Sequence, residues 1–157
     1  MSYSVKEIYL TIQGEGFHTG KHAVFCRFSG CNLWTGLEKD RKKAICNFCD
    51  TDFVGTDGIN GSKYPNAEQL ANEIDKVWDK DINEKFVVFT GGEPLLQLDK
   101  PLVDLLHKKK FKVAIETNGT ILPPENIDWI CVSPKPNTKL KITEGDELKF
   151  IYPQPNF

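Results

Sequence analysis

Cys31, Cys46 and Cys49 stand at a C-x14-C-x2-C spacing, and with them three of the chain's five cysteines fall on one stretch. Thiolates select zinc, copper(I) or iron–sulfur clusters over hard cations. Two of them three positions apart on a tight turn can grip one metal centre, and a third can arrive over a loop. A structural zinc site wants four protein ligands, and Cys26, His18 or His22 could supply the fourth. Cys46 and Cys49 alone could be a redox dithiol, although no thioredoxin-like βαβ pattern surrounds them. Three cysteines on a four-iron cluster leave one iron without a protein ligand, and an open iron is a place for chemistry. Spacing alone leaves these readings open, with zinc ahead of the open cluster.

The elements that must position these ligands are written in hydrophobic periodicity. Val5 to Ile12 alternates loosely and predicts a strand, followed by a turn from Gln13 to Gly20 with three glycines. Those glycines permit close approach of backbone to a ligand, but they equally suit an ordinary hairpin loop, and the third glycine of a dinucleotide fingerprint is missing at Thr19. Ala23 to Ser29 predicts a short apolar strand running into Gly30-Cys31. Arg27 is its anomaly: the guanidinium reaches the sheet edge or points at an anion, and its planar fork suits a carboxylate. Cys26 falls on the opposite face as a buried small hydrophobe. The charged insert Leu37 to Lys43 reads as a solvated loop.

Asn66 to Lys80 predicts a helix capped by Asn66, with Leu70, Ile74, Val77 and Trp78 as its apolar stripe. The continuous apolar run Phe86 to Phe89 predicts a strand buried on both faces, ending in Thr90-Gly91-Gly92-Glu93-Pro94. A second helix uses Leu98, Leu102, Leu105 and Leu106 and closes in His107-Lys108-Lys109-Lys110, which suits its negative end. Strand Val113 to Ile115 carries Glu116-Thr117-Asn118-Gly119 at its tip, strand Trp129 to Val132 carries Ser133-Pro134-Lys135, and Leu148 to Tyr152 predicts a last strand.

This alternation predicts an α/β fold with a mainly parallel sheet and crossover helices. Ligands in such sheets gather at the C-terminal ends of the strands, where TGGEP, ETNG, SPK and the cysteine loop all fall, so one chemical mouth accounts for them. The 157 residues predict one domain, residues 1–157, with 39% hydrophobic and 27% charged residues as in ordinary globular proteins. A net charge of −2 with interleaved signs excludes a basic footprint for nucleic acid. No apolar run approaches membrane-spanning length and none reads as a signal peptide. An odd number of cysteines at metal-like spacing, rather than a disulfide framework, points to the reducing cytoplasm.

Together these residues resemble the radical S-adenosylmethionine (SAM) superfamily. Cys46-Asn47-Phe48-Cys49 is similar to the C-x-Φ-C half of its cluster motif, and Gly91-Gly92-Glu93-Pro94 to its SAM-binding GGE element. The wide first cysteine gap departs from the commoner C-x3-C-x2-C. With Thr11-Ile12-Gln13-Gly14-Glu15-Gly16, Arg27 and Cys49-Asp50-Thr51, it resembles the 7-carboxy-7-deazaguanine synthase family across about Tyr3 to Tyr152. The resemblance implies a partial, incomplete TIM-like barrel with few crossover helices. It implies a 4Fe-4S cluster on Cys31, Cys46 and Cys49, SAM on its open iron, and Mg²⁺ at Thr51. SAM contacts are implied at Phe48, Gly92, Ser133, Pro134 and Lys135, with Glu116 and Asn118 added. Contacts to a pterin small-molecule substrate are implied at Ile12, Gln13, Gly14, Arg27 and Thr90. An external one-electron reductant such as flavodoxin or ferredoxin, a homodimer, and a role in queuosine or other 7-deazapurine biosynthesis are further implications, with no nucleic acid or membrane involved. A glycyl-radical-type activating enzyme and a non-catalytic zinc or iron–sulfur module are the rival readings. The chain stops at Gln154-Pro155-Asn156-Phe157, where the resemblance leads one to expect further C-terminal elements.

Overall fold

Alternating burial along the central strands sets the architecture, which a computed structural model describes for residues 1–154. In strand β2 (His22–Phe28), Val24, Cys26 and Phe28 are fully buried on one face, while Ala23, Phe25 and Arg27 point to the other. Strand β4 (Phe86–Gly91) repeats the pattern with Val87 and Phe89 against Phe86, Val88 and Thr90. Strand β5 (Lys112–Thr117) does so with Val113 and Ile115 against Ala114 and Glu116. The first face of each joins a large core with helices α1 (Ala67–Val77) and α2 (Lys100–Lys108). The second face begins as an apolar floor of Ala23, Phe86, Val88 and Ala114, and turns polar toward the strand tips with Arg27, Thr90 and Glu116.

The remaining strands are β1 (Tyr3–Ile12), β3 (Ser62–Tyr64), β6 (Trp129–Val132) and β7 (Glu147–Leu148), and the seven form one sheet in the order β3-β1-β2-β4-β5-β6-β7. From β2 to β7 every pairing is parallel, whereas β1 pairs antiparallel with both β2 and β3. The sheet is open and its helices lie on one side, so it is a partial TIM-like barrel whose concave face lacks a covering layer.

The helices follow their caps. Asn66 accepts a hydrogen bond from the Gln69 N–H at 2.9 Å and Leu70, Ala71 and Ile74 are buried. Leu70 and Ile74 each contribute about 1.5–3 kcal/mol, and the smaller Ala71 less. The helix ends at Val77 rather than Lys80, because Trp78 turns extended and donates its indole N–H to the Ile82 carbonyl. The second helix starts later than its leucine stripe suggests: Asp99 caps it, accepting from the Leu102 N–H and from the Tyr3 hydroxyl, and Pro94–Leu96 forms a separate short 3₁₀ turn. The predicted last strand is only Glu147–Leu148, since β6 stops at Val132 and the Lys149 N–H makes the final bond to that residue's carbonyl. The insert read as a solvated loop is a 3₁₀ helix, Glu38–Lys43, and none of its residues is buried. Of the terminal residues noted above, Pro155, Asn156 and Phe157 lie outside the described residues, as does that part of the 1–157 domain.

Candidate functional site

β2, β4, β5 and β6 all end at the same rim, and the loops that leave them form a cavity of ≈ 330 Å³. Cys31, Cys46 and Cys49 line it, together with the backbone of Gly91 and Gly92 from β4, Thr117 and Asn118 from β5, and Ser133 and Lys135 after β6. The cysteine loop is fastened to the β4 tip by backbone. The Glu93 N–H donates to the Gly30 carbonyl at 2.9 Å, and a Cβ on Gly92 would lie 1.9 Å from that same oxygen. Only glycine allows this approach. Gly30 itself takes a φ of 90°, which turns the chain out of β2 toward Cys31.

Glu93 is fully buried and ties the strand tips together. Its Oε1 accepts from the Leu95 N–H at 3.0 Å and the Thr117 hydroxyl at 2.7 Å, and its Oε2 from the Asn118 N–H at 2.8 Å. Asn118 passes the connection on, donating its side-chain amide to Asn32 beside Cys31 at 3.0 Å. Burial pushes the Glu93 carboxyl up, against the pull of its three donors.

Cys46 and Cys49 are within hydrogen-bond reach of each other. The hydrogen bond from Cys46, against the opposing effect of burial, brings the Cys49 thiol down to about 6, with the Thr51 N–H and hydroxyl helping. The same bond pushes Cys46 far up, and burial raises Cys31. Burial draws the Lys135 ammonium down, the facing cysteines oppose that, and the group donates to the Ser133 hydroxyl at 2.7 Å and the Ser133 carbonyl at 2.6 Å.

The donor chemistry separates the metal readings. The fourth ligand that a zinc site needs is not delivered by the residues proposed for it. Cys26 is fully buried on the helix side of the sheet. His22 opens β2 opposite Ile12, and His18 packs on Phe86 and Trp129 with ring centroids 4.9 and 4.5 Å away, both at the far ends of the strands. Among the described residues no group of three or more His, Cys, Asp or Glu side chains is gathered to hold a single metal ion. Among the described residues, three thiols line a roomy cavity that no further cysteine or histidine lines, and this fits a 4Fe-4S cluster with one iron open.

The same cavity gathers Phe48, Thr51, Thr90, Gly92, Glu116, Asn118, Ser133 and Lys135. Pro134 instead faces a separate hollow behind the β6 tip. Ile12, Gln13, Gly14 and Arg27 do not line it. The antiparallel β1–β2 hairpin puts its loop at the opposite end of the strands, so Ile12 is 56% exposed. Gln13 nonetheless reaches up the concave face, donating to Glu116 at 3.3 Å, and Glu15 comes as far as the cavity, where it pairs with Lys149. Arg27 sits inside the sheet, not at its edge: β2 lies between β1 and β4. Its Nε pairs with Glu7 at 2.8 Å, a second nitrogen donates to the Gly91 carbonyl at 3.2 Å, and it stands in register with Thr90. It therefore sits beneath the β4 tip on the concave face.

Sequence reasoning passed over Glu93 as a hub, Asn32, Glu15, Lys149 and Lys6. Lys6 is buried and holds the loop after Cys49 through Asp52 and Asp57, both at 2.8 Å. Glu93 and Glu15 both stood inside motifs, GGEP and TIQGEG, in which other residues carried the roles. The others have no spacing signal, because each acts across the fold. A larger cleft, ≈ 510 Å³, lies at the opposite end around Phe17, Lys21 and Trp129. It holds none of the cysteines or strand-tip motifs, so the smaller cavity is the candidate site.

Comparison with known proteins agrees with this geometry. Residues 42–136 match the model of the radical SAM superfamily, a span that includes Cys46 and Cys49 and begins after Cys31. The chain is 57% identical to a 7-carboxy-7-deazaguanine synthase of Bradyrhizobium diazoefficiens, over 98% of this chain and 73% of that one. It is 58% identical to the 7-carboxy-7-deazaguanine synthase of Burkholderia multivorans, over 99% of this chain and 74% of that one. The crystal structure of QueE from Escherichia coli superposes with a TM-score of 0.65 at 31% identity, covering 86% of this chain and 61% of the Escherichia coli chain. With three cysteines, a glycine-tight strand tip and relatives of this closeness on one sheet, the chain belongs to the radical SAM superfamily and, within it, to the 7-carboxy-7-deazaguanine synthase family.

Proposed function

We propose that this chain is a radical SAM carbon–nitrogen lyase that converts 6-carboxy-5,6,7,8-tetrahydropterin to 7-carboxy-7-deazaguanine with loss of ammonia, in 7-deazapurine (queuosine) biosynthesis. The observation that carries this is the convergence of Cys31, Cys46 and Cys49 with the tips of β4, β5 and β6 on one cavity, in a chain 57–58% identical to relatives of that name. Residues 1–157 act as one radical SAM domain.

Cys31, Cys46 and Cys49 would hold the 4Fe-4S cluster. When bound, cluster and SAM would supply the one-electron radical chemistry that a ring contraction starting from an unactivated C–H bond requires. The chain's part is placement. Gly92, Ser133, Lys135, Asn118 and Phe48 frame the volume beside the cysteines and would hold SAM, with Pro134 shaping the Ser133–Lys135 turn from behind. Glu116 lies lower on the concave face, where Gln13 and Lys149 fix its carboxylate at 3.3 Å each, a position that favours contact with the substrate over the cofactor. Thr90 and Arg27 lie on the same face, and the Arg27 fork suits the substrate carboxylate once it exchanges or shares Glu7. Ile12, Gln13 and Gly14 approach from the hairpin loop. Thr51 would bind Mg²⁺ with Asp50 beside it, their oxygens 3.4 Å apart, and substrate oxygens and waters completing the shell. Binding substrate close to the cofactor wall would supply orientation and displace water from between them.

The enzyme acts on a small molecule and needs a reductant; flavodoxin or ferredoxin as that reductant, a homodimeric assembly and a cytoplasmic setting belong to this proposal. Among the described residues no helix is long and apolar enough to cross a membrane. The test is anaerobic turnover of reconstituted protein with SAM, a one-electron reductant and the carboxylated pterin, followed by mass detection. Formation of 7-carboxy-7-deazaguanine is expected. SAM cleavage with no pterin product would refute the substrate assignment and favour an activating enzyme.

A further inference from the structure

The insert between Cys31 and Cys46 contains a side chain whose contacts exceed what a solvated loop needs. The Arg41 guanidinium donates from Nε to Glu38 Oε2 at 2.8 Å and from a terminal nitrogen to Glu38 Oε1 at 2.5 Å. Its other terminal nitrogen donates to two backbone carbonyls, Asn47 at 3.0 Å and Cys49 at 2.9 Å. The same plane lies 4.1 Å over the Trp34 ring. Trp34 is buried, meets Phe53 edge-on at 5.6 Å and donates its indole N–H to the Leu37 carbonyl. Stacking, a carboxylate fork and a shared pair of carbonyls require a planar guanidinium; an ammonium could supply the charge but not the plane.

The placement gives these contacts a purpose. The two carbonyls belong to the turn that presents Cys46 and Cys49, so one nitrogen pins its curl. Glu38 is 75% exposed and its ion pair adds little to stability; what the pair does is aim the fork. Trp34, which does not line the cavity, carries the guanidinium, and Phe53, which does, buttresses Trp34 edge-on. We propose that Arg41 is a positioning residue for the cluster: it forms the Cys46–Cys49 turn before iron arrives and sets a fixed positive charge beside the bound cluster. This rests on the cluster assignment made above.

The test uses the full chain as wild type, Arg41→Gln, Arg41→Lys and Glu38→Gln. In metal-free protein, Arg41→Gln should speed hydrogen exchange of amides 46–51 while those of β4 and β5 are unchanged. After anaerobic reconstitution the variant should lose iron to a chelator about tenfold faster, the lower end of what outer partners contribute to metal retention. Its midpoint potential should move negative, by up to tenfold in reduced fraction, which is about 59 mV for a one-electron couple. Arg41→Lys should recover the potential but not the slow exchange, and Glu38→Gln, which keeps the guanidinium but loses what aims it, should fall between in exchange and iron loss with no negative shift of potential. Arg41→Gln with wild-type exchange, iron retention and potential overturns the proposal. Should Arg41→Gln not fold, Glu38→Gln decides, and wild-type behaviour in it overturns the proposal equally. Wild-type protein that takes no iron overturns the cluster assignment and this role with it, whereas loaded wild type beside an indistinguishable variant removes Arg41 alone.

Discussion

Replacing Glu93 by Gln changes one atom of a fully buried side chain and removes an acceptor from a site where three donors converge. If the new NH₂ takes the place of Oε2, it faces the Asn118 N–H; if it takes the place of Oε1, it faces the Leu95 N–H, and only the Thr117 hydroxyl can turn to accept from it. In either orientation one buried backbone N–H loses its partner, at about 1–3 kcal/mol, and the bonds that remain lose the charge that strengthened them. The expected total is about 2–4 kcal/mol. Urea unfolding of the metal-free protein, followed by fluorescence of Trp34, Trp78 and Trp129, measures it. With a slope of about 2 kcal/mol per molar, the middle of the usual range of about 1–3, the midpoint should fall by about 1–2 M. Because Asn118 also holds Asn32 beside Cys31, affinity for SAM should fall in the reconstituted variant even at low denaturant. A loss below about 0.5 kcal/mol, the range of an ordinary surface change, would refute the view of Glu93 as the hub of the strand tips.

Other substitutions probe separate parts of the account. Gly92→Ala drives a methyl into the Gly30 carbonyl 1.9 Å away; it should cost about 1–3 kcal/mol and reduce iron content on reconstitution, and full iron loading would show that the strand tip and cysteine loop need not touch. Arg27→Ala should raise the KM for the pterin about tenfold or more, as expected of a lost charge-assisted contact, while the cluster spectrum persists; an unchanged KM would remove Arg27 from the site. Burial pushes the Asp75 carboxyl up, but the Lys85 and Lys109 ammonium groups at 2.5 and 3.3 Å outweigh it and hold it below its ordinary value of 3.8. A carboxyl lowered in the folded state stabilises above pH 3.8 and loses that contribution as pH falls further. Asp75→Asn should thus be about 1 kcal/mol less stable at pH 7 and converge with wild type in acid, and parallel stability curves down to pH 2 would contradict the assignment.

Much of this was legible in the sequence because local chemistry and the fold agree. The run Phe86 to Phe89 could only be a strand buried on both faces, and the Asn66 cap and leucine stripes fixed α1 and the body of α2. Strand tips bearing TGG, ETNG and SPK then shared one rim once the crossovers were parallel. Legibility failed where the determinant is distant. The hairpin of β1 and β2 reverses the first strand, so Ile12 and Gly14 left the rim, although the glycines there permitted either outcome. β3 is three polar or half-exposed residues, paired to β1 and packed on the core through Tyr64, with no periodicity to announce it. The 3₁₀ insert looked solvated because its charges are exposed, while its one inward plane, Arg41, depends on a tryptophan seven positions earlier and carbonyls six and eight positions later. Arg27 was assigned to an edge or a ligand by composition, and its pairing with Glu7 across β1 was not visible along the chain.

The central claim is that three thiolates leave one iron of the cluster to SAM. Mössbauer spectra of the iron-57-reconstituted protein, recorded with and without SAM, address it directly. The account predicts a 4Fe-4S signal in which a single iron of the four shifts when SAM is added, and loss of that signal in Cys49→Ala. Four irons indifferent to SAM, or a protein that takes up zinc and no iron, would contradict it.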